Sequence, residues 1–245
     1  MRLDRALVER GLAPTRARAR DAIRRGAVRV DGRSVTKAGA EVDANAPLAL
    51  DDPAGGYVSR GALKLIAGLD AFGIDVGGRH ALDVGASTGG FTQVLLERGA
   101  THVTALDVGH GQLAPALRGD ARVSVIEGLN ARDLVATDLP GPPALVVADV
   151  SFISLTLALP PALDLAVAGS PCVLLVKPQF EVGREGVGKG GLVAPGLAEV
   201  TAERMPAWLD GQSGWRTLGL VPSPIEGGDG NREWLLGGVK DRADA

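Results

Sequence analysis

The stretch DVGASTGGF, residues Asp83 to Phe91, decides the fold because it places a glycine-rich turn directly after an apolar segment. The apolar segment is Ala81–Val84, and the residues Phe91–Arg98 beyond the turn have the pattern of a helix. A strand joined to a helix by such a turn lets a ligand approach the backbone closely at the helix N-terminus. The spacing G-x-x-x-G-G differs from the G-x-G-x-x-G of dinucleotide-binding proteins. A glycine turn alone is as often only a tight turn, but together with Asp83 and Asp107 at the ends of two successive strands it predicts a site for a different, nucleoside-like cofactor.

Apolar segments further along the chain repeat the alternation of strand and helix. Further strands are predicted at Val103–Leu106, Val123–Ile126, Ala144–Ala148, Val173–Val176 and near Glu233–Gly238. Continuous apolar runs are typical of parallel strands that are buried on both faces. Aromatic residues make up only 3% of the chain, so aliphatic side chains must form the core. The predicted fold class is α/β, with a Rossmann-like, doubly wound domain over residues 58–245.

The first 50 residues have a different organisation, which predicts a small N-terminal α+β domain. The predicted elements are a helix from about Leu3 to Gly11, a helix Arg16–Arg25 capped by Thr15, a strand Val28–Val30, a turn at Asp31-Gly32, and strands from Val35 onward and at Leu48–Leu50. Residues 51–57 begin with DDPAGG, a composition typical of a linker.

The charge of the chain is distributed unevenly. Residues 1–37 hold eleven Lys and Arg and four Asp and Glu, a net charge of +7, whereas the remaining 15 bases and 25 acids give −10. A basic end on an acidic body predicts contact with a polyanion. The candidates for binding phosphates are Arg2, Arg5, Arg16, Arg18, Arg20, Arg24 and Arg25. Arg16 and Arg20 lie one helical turn apart, where like charges repel unless an anion neutralises them. The alternative is a solvated surface helix.

The segment RLDRALVERGLAPTRARARDAIRRGAVRVDGRSV, residues 2–35, resembles the S4 RNA-binding domain in its two helices followed by V-x-V-D-G. The same domain occurs in a ribosomal protein, in pseudouridine synthases and in some tRNA synthetases. The resemblance therefore implies RNA binding without fixing the chemistry.

Polar residues after successive strands are candidates for cofactor binding. Asp83, before the glycines, is typical of methyltransferases, where its carboxylate can face the cationic amino-acid portion of S-adenosylmethionine. Asp107 ends the second strand, about where an acid hydrogen-bonds a ribose. Asn130 is a candidate for the adenine edge, although a loop Asn is as often a turn or cap residue. The candidate cofactor-binding set is Asp83, Gly85, Ser87, Thr88, Gly89, Gly90, Phe91, Asp107, Asn130 and Asp149.

Four ionisable residues are candidates for the chemistry. Asp149 and Lys177 each end an apolar strand, Glu233 opens the last one, and Lys64 lies in the helical stretch Ser59–Ala67. Ligands of an open α/β sheet bind outside the carboxyl ends of its strands, so Asp149 and Lys177 should project toward the methyl donor. The alternative is that each charge only marks the exit of a strand to solvent.

A ribose hydroxyl as methyl acceptor gives a reason for this set. The hydroxyl is a poor nucleophile and must lose its proton as it attacks the sulfonium methyl. The ordinary pKa of lysine is ~10.4, but burial and a neighbouring cation lower it, so one of two adjacent lysines can act as the base. We expect Lys177 to be the base, with Lys64, Asp149 and Glu233 orienting it; an exchange of roles between the two lysines stays open.

The motifs VSRGALKL, DVGASTGGFT, VVADVSFISL and LVKPQFEVG together resemble the TlyA (haemolysin A) family of ribosomal RNA 2′-O-methyltransferases, part of the wider FtsJ-like group. The resemblance implies a Lys-Asp-Lys-Glu tetrad, which the motifs place at Lys64, Asp149, Lys177 and Glu233. It also implies S-adenosylmethionine as cofactor and cytidine ribose in ribosomal RNA as acceptor, in ribosomal subunits as partners. The chain resembles the shorter family members, which implies 23S RNA, with 16S RNA as a further possibility.

Composition argues against several other classes of protein. The single Cys172 has no disulfide partner and the N-terminus has no apolar signal segment, so we expect a cytoplasmic protein. The three histidines are scattered, so we expect no metal. No apolar run reaches the ~18 residues needed to span a bilayer, which argues against a pore-forming haemolysin. No oligomeric state is predicted.

Three further alternatives share only part of the pattern. A small-molecule methyltransferase would not need the basic N-terminus, and a pseudouridine synthase would not need the glycine turn. A non-enzymatic ribosome-binding factor would not need all four of Lys64, Asp149, Lys177 and Glu233.

Overall fold

A computed structural model describes residues 1–241 of the chain, which form two compact units. The first unit is Met1–Gly56, and the second begins at Tyr57. No helix within the described residues is both long enough and apolar enough to cross a membrane.

The first unit packs two helices against a three-stranded antiparallel sheet. Its elements are α1 (Leu3–Glu9), α2 (Arg16–Arg24), β1 (Val28–Val30), β2 (Arg33–Ser34) and β3 (Leu48–Leu50), with strand order β2-β1-β3. The hydroxyl oxygen of Thr15 accepts a hydrogen bond from the backbone N–H of Arg18, which confirms Thr15 as the cap of α2. Fully buried Leu3, Leu7 and Ile23 form the centre of a small aliphatic core.

Two predictions for this unit are wrong. The strand after the Asp31-Gly32 turn is Arg33–Ser34 and does not run on from Val35, because the two-residue turn pairs Val30 directly with Arg33. The segment 51–56 is also not a free linker. The Asp52 carboxylate accepts hydrogen bonds of 2.6 and 2.9 Å from the Arg25 guanidinium, and Ala54 is fully buried, so the segment belongs to the first unit.

The second unit is a seven-stranded sheet with helices on both faces. Its strands are β4 (His80–Val84), β5 (His102–Asp107), β6 (Val123–Glu127), β7 (Leu145–Ala148), β8 (Pro171–Val176), β9 (Trp215–Pro222) and β10 (Trp234–Lys240). Its helices are α3 (Gly61–Phe72), α4 (Gly90–Glu97), α5 (Pro115–Arg118), α6 (Leu155–Ala158), α7 (Pro160–Leu165), α8 (Pro178–Glu181), α9 (Pro195–Glu203) and α10 (Met205–Asp210). The order of strands is β6-β5-β4-β7-β8-β10-β9, and every strand predicted for this second unit is present.

Alternate residues of the central strands enter two different cores. On β4, Leu82 belongs to the core that contains residues of α6, α7, α9 and α10, whereas its neighbour Ala81 belongs to the core that contains residues of α3 and α4. This two-sided burial explains why the parallel strands read as continuous apolar runs. Strands β4 to β8 are parallel, and β10 is antiparallel to both β8 and β9. The edge strand β9 was not predicted, because its residues are mostly half-exposed and it ends in Pro222.

Gly68 sets how closely α3 approaches the sheet. It lies one turn beyond Lys64, and a Cβ at this position would stand 2.5 Å from Cγ1 of the buried Val173 on β8. We predict that Gly68→Val lowers the free energy of unfolding by about 1–3 kcal/mol, because overpacking forces strand and helix apart. Gly196→Val is the control, since a Cβ there meets no atom within 4 Å. Urea unfolding of both variants is the measurement; equal midpoints would contradict the prediction.

Candidate active site

The functional candidates lie along one edge of the seven-stranded sheet. Asp83, Asp107, Asp149 and Lys177 lie at or directly after the carboxyl ends of β4, β5, β7 and β8. Because β10 is antiparallel, its first residue and not its last meets this edge, and Trp234 pairs with Val176. Glu233, directly before β10, is therefore brought to the same edge as Lys177.

Lys177 and Asp149 form the first of two lysine–carboxylate pairs. The Lys177 Nζ lies 2.6 Å from Oδ1 of Asp149 and donates a hydrogen bond of 2.8 Å to Oγ of Ser151. An ammonium group has three donor positions. Ser151 takes one of them, while the contact with Asp149 is an ion pair whose Oδ1 accepts no hydrogen bond among the described residues, so the amine keeps room for a further partner.

Lys64 and Glu233 form the second pair. The Lys64 Nζ donates a short hydrogen bond to Oε2 of Glu233, and both side chains are buried. Burial raises the pKa of Glu233, and the charges of Lys64 and Lys177 oppose this shift. Both lysines thus act on the Glu233 carboxylate, so the two pairs form one electrostatic group of four residues with a formal net charge of zero.

A cavity of about 680 Å3 runs along the ends of β4, β5 and β7. It is large enough for a drug-sized or nucleoside-sized ligand. Asp107 lines it and accepts hydrogen bonds from the backbone N–H groups of Ser87 (2.8 Å) and Gly109 (2.7 Å). Each carboxylate oxygen has a second lone pair, so Asp107 keeps the capacity to accept from a ligand hydroxyl. Asn130 lines the same cavity, and its side chain also accepts a hydrogen bond from the N–H of Arg132.

A smaller cavity of about 220 Å3 adjoins the first. Its lining includes Ser59, Arg60, Lys64, Thr88, Gly90 and Phe91. Gly85, Ser87 and Asp149 line both cavities. Asp149 therefore stands where the two spaces meet, and its carboxylate is paired with Lys177.

At two positions of the turn, neighbouring protein atoms leave no room for a side chain, so only glycine fits. Gly85 has φ +84°, and a Cβ there would stand 2.6 Å from the backbone oxygen of Asp149. At Gly90 a Cβ would stand 2.1 Å from Oγ of Ser59 and 3.2 Å from the backbone nitrogen of Ala62. The missing side chains thus let the turn contact the Asp149 loop and the start of α3. This packing brings residues of both lysine–carboxylate pairs to one place.

Asp83 is fully buried and lines neither cavity, unlike the direct ligand contact predicted from the sequence. Its Oδ2 accepts a hydrogen bond of 2.6 Å from the hydroxyl of Thr92, while Oδ1 has no hydrogen-bond partner among the described residues. Burial raises the pKa of Asp83 to about 7, and the nearby Asp149 acts in the same direction. A cation bound beside this turn would stabilise the ionised form.

Sequence reasoning missed two residues that adjoin the predicted set. Ser151 holds Lys177, and Phe152 lines the larger cavity with 91% of its surface exposed and φ +65°. A non-glycine residue with positive φ is uncommon and costs about 1–3 kcal/mol. Both lie in the quoted motif VVADVSFISL, but neither a serine nor an aromatic residue after an acid is by itself a functional signal.

The predicted phosphate-binding arginines differ in how far they are available. Arg5 and Arg24 are exposed on the helices, and Arg2, Arg16 and Arg20 remain 43–51% exposed. Arg18 is half-buried and donates to the carbonyl of Ala54. The prediction that Arg25 binds phosphate is wrong. Its side chain is only 15% exposed and forms ion pairs with Asp52 and Asp21, so it stabilises the first unit.

Among residues 1–241, the structure contains no cluster of three or more His, Cys, Asp or Glu side chains that could hold a metal ion. Cys172 is buried, and burial raises the pKa of its thiol.

Comparison with known proteins gives two family matches. The sequence profile of FtsJ-like methyltransferases matches residues 57–240, and that of the S4 domain matches residues 1–48. The chain is 48% identical to the 16S/23S rRNA (cytidine-2′-O)-methyltransferase TlyA of Mycobacterium tuberculosis, over 96% of this chain and 88% of that protein. It is 38% identical to Hemolysin A of Brachyspira hyodysenteriae, over 96% of this chain and 98% of that protein.

Solved structures agree with these matches. A Streptococcus thermophilus protein assigned to the hemolysins is 41% identical, with a TM-score of 0.75 over 98% of this chain and 88% of its own.

The raised pKa of Asp83 predicts a pH-dependent loss of stability. Below pH 3.8 both folded and unfolded states carry the proton; between 3.8 and about 7 only the unfolded state releases it, so stability falls as pH rises and the loss is complete above 7. At ~1.4 kcal/mol per pKa unit, the full effect is about 4 kcal/mol. The stability of Asp83→Asn relative to the wild type should therefore rise between pH 5 and about pH 7 and stay constant from there to pH 8.5.

Urea unfolding of the cofactor-free protein across this pH range is the measurement. Asp133→Asn, at an exposed position, is the control and should follow the wild-type curve. Parallel curves for Asp83→Asn and the wild type would show that Asp83 does not titrate in this range.

Proposed function

This chain belongs to the family of FtsJ-like methyltransferases, and we propose that it transfers a methyl group from S-adenosylmethionine to the 2′-hydroxyl of a cytidine in ribosomal RNA. The observation that carries the proposal is the pair of lysine–carboxylate contacts, Lys177 with Asp149 and Lys64 with Glu233, beside two adjoining cavities. The TlyA relative, 48% identical over nearly the whole chain, supports cytidine in ribosomal RNA as the acceptor.

The residues of the larger cavity fit S-adenosylmethionine. Asp107 is positioned to accept hydrogen bonds from ribose hydroxyls, and Asn130 lies where it can contact the base. The carboxylate of Asp149, which lines this cavity, supplies negative charge for a cationic ligand, and the buried Asp83 with its unpartnered Oδ1 would add to that charge once ionised. When bound, the cofactor supplies an electrophilic methyl group on a positively charged sulfur. Neutralising that charge is the task that these carboxylates suit.

Lys64, Asp149, Lys177 and Glu233 are the residues that we propose to act on the proton of the 2′-hydroxyl. Ser151 and Asp149 fix the Lys177 amine, and we assign a free position of this amine to the 2′-hydroxyl. In its neutral form Lys177 would accept the hydroxyl proton while the ribose oxygen takes the methyl group that the bound cofactor would supply, the methyl–sulfur bond breaking as the methyl–oxygen bond forms. Asp149 would stabilise the resulting ammonium. Lys64 and Glu233 orient and tune this group through their charges.

The arginines of the first unit and the ring of Phe152 are suited to contacts with RNA. The exposed and half-exposed arginines of the first unit are suited to phosphates, which position RNA without reading its sequence. The exposed ring of Phe152, 5.3 Å from the ring of Phe180, offers a surface on which an unstacked base can lie. A flipped or single-stranded cytidine is therefore the form of substrate that we propose.

The test is transfer of tritiated methyl groups from S-adenosylmethionine to purified ribosomal subunits that lack the modification. We expect label on the large subunit RNA, at a ribose 2′-oxygen identified by nuclease digestion and mass spectrometry. Lys177→Ala should reduce transfer by about 10²-fold or more, because it removes the base. Its cofactor affinity by calorimetry should stay close to that of the wild type.

Lys189→Ala, at an exposed lysine outside both cavities, is the matched control and should keep full transfer. Cofactor binding without label on either subunit or on free RNA would point to a different acceptor. Loss of cofactor binding in Lys177→Ala would contradict its role as base.

RNA binding by the first unit is tested through its salt dependence. Arg16→Gln/Arg20→Gln should weaken binding and reduce the slope of log K against log salt by about 1.4–1.8, the loss of two phosphate contacts. Binding of ribosomal RNA across a KCl series is the measurement. Arg216→Gln, an exposed arginine on β9, is the control and should leave the slope unchanged. An unchanged slope in the double variant would remove these arginines from the RNA contact.

A further inference from the structure

Asp4 is a fully buried carboxylate on which three arginines converge. Arg2 donates from Nε to Oδ1 (3.0 Å) and from Nη2 to Oδ2 (3.3 Å). Arg16 and Arg20 reach Oδ2 from the other helix, at 3.1 and 2.9 Å. The pKa of Asp4 lies well below its usual range, mainly because Arg2 donates hydrogen bonds to its carboxylate. This acid therefore stays ionised inside the first unit.

The contacts leave most of the arginine donors available. A guanidinium carries five N–H groups, and Asp4 takes two from Arg2 and one each from Arg16 and Arg20. The three side chains are still 43–51% exposed. Three cations around one anion give the cluster a net charge of +2, presented to solvent.

The backbone that carries this carboxylate is held in place. The backbone N–H of Asp4 donates to the carbonyl of Ala38, and that of Leu3 donates to Ala40. Between these two acceptors lies Gly39, where a Cβ would stand 3.5 Å from three atoms of the Arg2 guanidinium. The segment 38–40 thus holds the backbone of Asp4 and lies beside the Arg2 head group.

Fixing the arginines before RNA arrives changes the cost of binding. Ordering one free arginine side chain costs about 1.5–2 kcal/mol of conformational entropy. An arginine already held by Asp4 has lost most of that freedom on folding, and the repulsion between Arg16 and Arg20 is compensated at the same time.

We propose that Asp4 is a positioning residue for RNA binding, which holds Arg2, Arg16 and Arg20 as one preformed phosphate-binding cluster. The inference rests on the proposed role of these arginines in binding RNA. The proposal and simple electrostatics predict opposite effects of removing Asp4 on RNA affinity. If charge alone mattered, loss of a negative charge beside three cations would tighten phosphate binding. If Asp4 holds the arginines in place, its loss weakens phosphate binding.

The first test compares Asp4→Asn with Asp31→Asn. Both remove one negative charge from the first unit, but Asp31 lies in an exposed turn with φ +49°, which Asn tolerates. For the full chain, we expect Asp4→Asn to weaken binding to a fluorescein-labelled 20-base-pair RNA hairpin at least about tenfold, because the arginines regain freedom that binding must remove. The KM for unmodified ribosomal subunits should rise, with kcat and cofactor affinity unchanged.

Asp31→Asn should leave RNA affinity unchanged or slightly tighter. RNA affinity in Asp4→Asn equal to or tighter than the wild type would overturn the positioning role. A fall in kcat or in cofactor affinity in this variant would also overturn it, since the effect would then not be specific to RNA binding.

A double-mutant cycle tests whether Asp4 affects RNA binding through the position of Arg16. Arg16→Gln should weaken RNA binding in the wild type and do so much less in the Asp4→Asn background, because the geometry is already lost there. Additive effects would overturn the inference. If Arg16→Gln and Arg20→Gln leave RNA binding unchanged while methyl transfer persists, the RNA contact of this cluster fails but the proposed reaction stands.

A measurement on the unchanged protein covers the case in which Asp4→Asn fails to fold. Nitrogen-15 relaxation of the arginine Nε–H groups in the free chain should show Arg2 and Arg20 as ordered as the backbone. Arg24, exposed on the same helix as Arg20, is the internal reference and should be mobile. Equal mobility of all three would overturn the inference.

Discussion

The direction of β10 is the constraint on which the site depends. Parallel strands bring their carboxyl ends to one edge, which accounts for Asp149 and Lys177 but not for a residue that precedes a strand. Glu233 reaches that edge only because β10 runs antiparallel to β8, with Trp234 opposite Val176. If β10 were parallel, Lys64 would lose its carboxylate partner. The single reversed strand thus completes a group of four charges that the parallel strands alone could not form.

Burying four charges beside one another is costly unless they are paired, since an isolated charge in a protein interior is strongly disfavoured. Here each lysine has a carboxylate partner, and the close approach of backbone at Gly85 and Gly90 brings the pairs together. Asp83 lies outside this arrangement. Its Oδ1 has no partner among the described residues and burial raises its pKa to about 7, so a cation close to Asp83 would stabilise its ionised form. The stability of this edge therefore depends on the protonation of Asp83.

The sequence predicts those parts of the structure that depend on local pattern. Apolar runs ending in Asp83, Asp107, Asp149 and Lys177 predict both the strands and the edge at which these residues meet, because strand direction and strand ends follow from neighbouring residues. It does not predict β9, because a half-exposed edge strand has little periodicity. Nor does it reveal that Arg25 pairs with Asp52 or that Lys177 is held by Ser151, since those contacts join residues 27 and 26 positions apart.

The two units use the same interaction, a carboxylate holding cations, for different ends. At the sheet edge two carboxylates face two lysines, so the group has no net charge when both lysines are protonated, and on the proposed mechanism it reaches that state when Lys177 accepts the hydroxyl proton. In the first unit one carboxylate faces three arginines, and the surplus of +2 is turned toward solvent. Arginine suits the second arrangement because it stays protonated and presents several donors to a phosphate, whereas lysine suits the first because it can give up its proton. On the proposed roles, the ratio of acid to base in each cluster, more than the residues taken singly, distinguishes a cluster suited to binding a polyanion from one suited to chemistry on it.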